Sequence, residues 1–140
     1  MKALRSALIA LALAAVASTA QAQQTKMKVD VPFDFTAGDR SYPAGEYTLS
    51  SMSNNNAIIR IGGNPETSDA YIPSNTCSVA RPSSQTKLVF HRVGPNYFLY
   101  QVWIAGNSEG RQFPLSRTET QLAENGQKMD TVIVAARLMR

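Results

Sequence analysis

The chain of 140 residues carries 14 Lys and Arg against 10 Asp and Glu, a formal net charge of +4, with a single His and a single Cys. One cysteine excludes an intramolecular disulfide and a thiolate metal cage, and one histidine excludes an HExxH pair or other histidine cluster. The Lys and Arg residues are scattered singly rather than set in rows that neutralise consecutive phosphates, which argues against nucleic acid as a partner.

At the N-terminus, Met1-Lys2-Ala3-Leu4-Arg5 is a short positive segment, Ala7 to Val16 is uncharged and apolar, and Ala20-Gln21-Ala22 is a small-x-small triplet. These are the three parts of a secretory signal peptide, with the cut expected before Gln23. Residues 1–22 are then a leader and residues 23–140 a single domain of ordinary size for one hydrophobic core. The apolar run is roughly half of the ~20 residues that cross a bilayer, and no Cys near the cut could carry a lipid. The expectation is an exported protein of the periplasm or extracellular space, not membrane-spanning once the leader is removed. Lys2 and Arg5 leave with the leader, so the remaining charge is close to neutral.

From Lys28 onward, Val29, Val31, Phe33 and Phe35 alternate with Lys28, Asp30, Pro32 and Asp34, the period of a half-buried strand. Pro32 cannot donate to a ladder and predicts an edge position or a bulge. Ala37-Gly38-Asp39-Arg40 reads as a turn and Pro43-Ala44-Gly45 as a breaker before a strand from Glu46 to Ser50. Asn54-Asn55-Asn56 marks a turn, Ala57 to Ile61 a strand, and Gly62-Gly63-Asn64-Pro65 another turn. Weaker strands are expected from Asp69 to Ile72 and from Thr76 to Ala80, with a kink at Pro73 and a surface loop at Pro82-Ser83-Ser84.

The densest β signal is Lys87 to Val93, then Gly94-Pro95-Asn96, then Tyr97 to Ile104, a hairpin about a three-residue turn. That register sets Leu88, Phe90, Phe98, Tyr100, Val102 and Ile104 on one face, assigned to the core. The other face then carries Val89, His91, Val93, Tyr97, Leu99, Gln101 and Trp103. Gly106 to Gly110 ends the hairpin. Ser116-Arg117-Thr118-Glu119 is a capping box, and Asn125-Gly126 can stop the helix it starts. Thr131 to Leu138, with Val132, Ile133 and Val134 in succession, predicts a last strand buried on both faces. The fold expected is all-β: a single antiparallel β-sandwich or small β-barrel with one short helix near the C-terminus.

Val31-Pro32-Phe33-Asp34-Phe35 with Pro43-Ala44-Gly45-Glu46-Tyr47-Thr48, followed by Leu88-Val89-Phe90-His91-Arg92, Tyr97-Phe98-Leu99 and Gln101-Val102-Trp103, resembles a group of short exported bacterial proteins that carry no assigned function. The likeness spans most of the chain after the leader. It implies export and one β domain, and brings no catalytic residues with it.

Candidate chemistry is sparse. Asp30 and Asp34 share a strand face as glycosidase carboxylates can, but alternating charge on a wet face gives the same pattern and is the preferred reading. Gly62-Gly63 and Gly106 to Gly110 lack the Lys-Ser/Thr ending of a phosphate loop and read as turns. Cys77 is expected as a buried, unpaired thiol, and packing against His91 would instead mark it as a nucleophile. No metal or cofactor is expected. The candidate interaction surface is Tyr97, Trp103, His91 and Gln101, rings with polar tips of the kind interfaces prefer. Its competitor is a cover formed by the segment from Arg117 to Glu124 or by the C-terminal strand. These features predict a non-enzymatic interaction or structural protein of the periplasm or cell surface, its protein partner unknown. One alternative is a β-barrel or sandwich holding a small apolar ligand, which an internal cavity would favour; the second is a hydrolase with an unrecognised site.

Overall fold

The computed structural model describes residues 25–52 and 57–139. The expected signal peptide, residues 1–22, and the Asn54-Asn55-Asn56 turn lie outside the described residues. In β1 (Lys26–Val31) the alternation holds: Met27, Val29 and Val31 are buried while Lys26, Lys28 and Asp30 take the other face. Pro32 ends this strand, and Pro32-Phe33-Asp34 carries the chain across to β2 (Phe35–Ala37), which forms a short hairpin with β3 (Arg40–Tyr42). The chain returns beside β1 as β4 (Gly45–Ser51) and continues as β5 (Ile58–Gly62) and β6 (Ala70–Pro73). It crosses again at Ser74 into β7 (Asn75–Ser78), then forms β8 (Lys87–Val93), β9 (Asn96–Trp103), β10 (Glu109–Gln112), helix α1 (Arg117–Glu124) and β11 (Met129–Met139).

The hydrogen-bonded order is β3-β2-β9-β8-β11-β1-β4-β5-β6, with β10 joined to β9 and β7 to β10. Neighbours pair antiparallel except β2 and β9, which meet in parallel at Thr36 and Phe98. The long strand β11 produces the curl. Met129 to Ala135 pair with β8, whereas Ala136 to Met139 pair with β1, so one strand belongs to both halves of the sheet. The far edges approach without pairing: a Cβ on Gly38 would lie 3.8 Å from Ile72 Cγ2. The result is mostly β, a curled open sheet or half-barrel, with one short helix near the C-terminus among the described residues.

The inner face holds the core. At one end Phe33, Phe35, Tyr42, Tyr47, Phe90 and Tyr97 interlock, with Phe33 stacked on Tyr97 at 3.8 Å between centroids and edge-on to Phe90 at 5.0 Å. Burying a side chain such as Phe90 contributes ~2–3 kcal/mol, and each such ring pair about 0.5–1.5 kcal/mol more. Tyr47 keeps its polar end satisfied by donating from its hydroxyl to the Pro43 carbonyl at 2.5 Å.

Three expectations are corrected. The hairpin turn contains two residues, not three: Val93 pairs with Asn96 across Gly94-Pro95. Gly94 takes φ 61°, open to glycine, and Pro95 follows with its ring-fixed φ, a Gly-first arrangement suited to the twist of paired strands. This moves the register by one, and a bulge moves it back: Phe90 pairs with Leu99 but Val89 with Gln101, leaving Tyr100 as the extra residue. Tyr97 and Leu99 therefore turn to the core face, and Phe98 and Tyr100 to the face of His91. β8 keeps the faces expected of it, with Leu88 and Phe90 inward, and in β9 Gln101 to Ile104 do so as well.

The last strand is not buried on both faces. Val132, Val134 and Ala136 pack half-buried on the core, but Ile133 on the outer face is 51% exposed. The strand β10 was unexpected, because Glu109-Gly110-Arg111-Gln112 carries no apolar period. Gly110 is there for a close approach: a Cβ would stand 2.7 Å from Trp103 Cε3 and from the Val102 carbonyl.

Candidate functional site

The aromatic cluster fills only one end of the half-barrel. Towards the N-terminal end of β1 and the C-terminal ends of β4 and β9, the inward side chains are Met27, Leu49, Ile59, Val102 and Ile104, unbranched or aliphatic and too small to meet across the gap. They enclose a cavity of about 360 Å³, and no aromatic residue lines it. Its polar lining comes from Thr25, Ser51, Thr76, Asn107, Ser108 and Arg111, with the exposed Glu109 beside them.

Arg111 is set by two strands and a crossover. Its place on β10 opposite Val102 puts it on the inner face. Nε donates to Ser74 Oγ at 2.9 Å, Nη1 to Thr76 Oγ1 at 2.6 Å and Nη2 to the Ser74 carbonyl at 2.5 Å. A guanidinium has five N–H donors, so one on Nη1 and one on Nη2 remain beyond these bonds. No carboxylate of the described residues lies within ion-pair distance of Arg111.

The four residues of the expected surface do not share one face. Tyr97 turns inward to stack on Phe33, with the Arg92 guanidinium 5.8 Å from its ring centre. Trp103 is only 5% exposed; its indole N–H donates to Gln101 Oε1 at 3.0 Å, and Gln101 Nε2 donates to Gln112 Oε1 at 3.0 Å. His91 lies under α1, with Nδ1 2.5 Å from Glu119 Oε1 and its ring 3.8 Å from that of Tyr100. The Glu119 side chain is 3% exposed. The capping box is thus one-sided: Ser116 Oγ accepts from Glu119 N at 3.1 Å, while the Glu119 carboxylate turns to His91 instead of back to Ser116. The helix ends as expected at Asn125-Gly126, with Gly126 N bonded to Ala123 O and Gln127 N to Leu122 O.

Other candidates separate. Asp34 Oδ1 accepts from Ala44 N at 2.8 Å, tying a loop, and Asp30 is exposed opposite Glu46. Cys77 is free, as expected, but half-exposed rather than buried, opposite Gly110. Burial pushes its thiol above the ordinary range, against smaller opposing effects of the Gly110 backbone and the Arg111 charge. His91 is engaged by Glu119 and Tyr100. Among the described residues no group of three or more His, Cys, Asp or Glu is placed to hold a metal ion, and no helix is long and apolar enough to cross a membrane.

Sequence reasoning missed the cavity and Arg111 together. A single Arg in a polar stretch carries no signal, and a gap in a core is a property of side chains that are missing. No family model, curated protein or solved structure matches the chain.

Proposed function

We propose that this chain is an exported, non-enzymatic binding protein, a small barrel that holds one small ligand with an apolar body between the two halves of its sheet. One observation carries the reading: the unfilled space of about 360 Å³ walled by Met27, Leu49, Ile59, Val102 and Ile104. Cores pack to crystal density and leave few voids larger than a water molecule, whereas ligand pockets run from about 300 to 1,000 Å³ with mainly apolar walls and a few fixed polar groups. The outer face of the β8–β9 hairpin supports the reading by default, since α1 and the Gln101–Gln112 pair occupy the groups that a partner would need. Export rests on the three-part N-terminal pattern and on the resemblance noted above.

The test is titration with the neutral, environment-sensitive probe N-phenyl-1-naphthylamine. Saturable enhancement at one probe per chain is expected, abolished by Ile104→Trp, which places a large ring at the mouth while the thermal melt reports folding. Absence of saturable binding, or binding indifferent to the filled mouth, would overturn the reading. For export, the secreted product should begin at Gln23; a product retaining Met1 would sink that part.

A further inference from the structure

We propose that the ligand's polar end is a carboxylate held by Arg111, so that the pocket takes a medium-chain carboxylic acid with its chain along Met27, Leu49 and Val102. This rests on the reading of the cavity as a ligand pocket, and goes beyond it by assigning the head group and the residue that recognises it.

Four observations converge. First, Arg111 is half-buried and has no carboxylate partner among the described residues, whereas charges withdrawn from water are normally paired. Second, its guanidinium is already oriented: Ser74 and Thr76 take three of its N–H groups, leaving one on each terminal nitrogen. A planar fork held in place loses little freedom on meeting a planar carboxylate, and such charge-assisted pairs are about twice as strong as neutral ones. Third, Ser51, which shares the inward parity of β4 with Leu49 and pairs with Ile59, lines the same cavity and offers a second donor to the head. Fourth, Met27, Leu49, Ile59, Val102 and Ile104 give the cavity one aliphatic wall for a chain to lie along, and about 360 Å³ corresponds to roughly 12 groups of water size at ~30 Å³ each. That length suits a chain of about ten carbons rather than a long lipid. Glu109 at the rim adds negative charge to the mouth, which favours one compact anion seated at Arg111 over a polyanion.

The purified full chain is titrated with N-phenyl-1-naphthylamine and competed with decanoate, 1-decanol and decyl phosphate at one ionic strength. Decanoate should displace the probe at about tenfold lower concentration than 1-decanol, the order of one charge-assisted hydrogen bond. Arg111→Gln should bring the two within about twofold of each other, and Arg111→Lys, which keeps the charge without the fork, should fall between. Arg117→Gln, on the exposed face of α1, should leave the preference intact, and melts of all variants establish that they fold. If the probe binds but decanoate and 1-decanol compete equally, the head-group assignment fails while the pocket stands. Decyl phosphate competing better than decanoate would overturn the carboxylate assignment, as would an undiminished preference in a folded Arg111 variant. If the probe does not bind, the pocket reading fails, and this inference with it.

Discussion

The two ends of the half-barrel are built from the same strands and differ in what they send inward. Where β1 ends and β4 begins, six rings meet and their flat faces and edges fill the space between sheet halves. Where β1 begins and β4 ends, the same ladder sends in Met27, Leu49 and Ile59, and a cavity of about 360 Å³ remains. Backbone spacing is common to both ends, so side-chain volume alone decides which end is solid. The division also separates duties: the aromatic end secures the curl of the sheet, and the aliphatic end is free to be hollow.

The sharpest way to break this comparison is to truncate one residue at each end. Phe90→Ala should cost about 4 kcal/mol, because rings packed on several sides cannot close the void, whereas Leu49→Ala should cost about 2 kcal/mol, since its side chain already borders empty space. Urea unfolding followed by the emission of Trp103, the only tryptophan, measures both. Equal costs would mean that the hollow end is packed in solution. A third region, the helix over the outer face, should come next. Glu119→Ala removes the buried partner of His91 and should cost about 2 kcal/mol, the order of a hydrogen bond to a charged group. A double-mutant cycle with His91→Ala should show the two losses to be non-additive; additive losses would show that the contact carries no coupling.

Alkali should strike the aromatic end through two buried phenols, with the raised thiol of Cys77 adding to the decline from the other end. Burial raises the phenol of Tyr42, opposed by the nearby Arg40 charge, and burial likewise raises that of Tyr47, opposed by a hydrogen bond with Asn64. Below pH 10 both folded and unfolded chains keep these protons. As pH rises from the unfolded value of 10.0 through the higher folded values, the unfolded chain releases protons that the folded chain retains, so stability falls. Urea midpoints between pH 8 and 11 should decline for the natural chain and more gently for Tyr42→Phe; identical curves would refute the assignment. The smallest effect belongs to Cys77, on the strand that borders the hollow end. Its raised, half-exposed thiol should react with iodoacetamide at pH 8 more slowly than in the urea-unfolded chain. Equal rates would show that β7 opens freely.

Much of the fold was legible locally. Val29 and Val31 declare their face by period, Pro32 and Pro73 mark the two places where the chain leaves the half formed by β1, β4, β5 and β6, and Ser116 and Asn125-Gly126 bound the helix, because each signal depends on a few adjacent residues. Gly94-Pro95-Asn96 admits a turn of two residues or three, and local chemistry cannot choose between them; packing does, and the bulge at Tyr100 restores the pairing that places Val102 inward and Trp103 outward. The exposure of Ile133 follows from what does not lie over β11, and the partial burial of Cys77 from its place beside Gly110 near the sheet margin. The candidate site was least legible of all. His91 and Trp103 stood out as residue types, yet the tertiary structure covers them with α1 and a glutamine pair. The sequence by itself determined the longer strands, most of the breaks between them and the two ends of the helix, since backbone propensity acts over neighbours. Only the tertiary structure decided the cavity and the freedom of Arg111, because both depend on volumes and charges contributed by strands far apart in the chain.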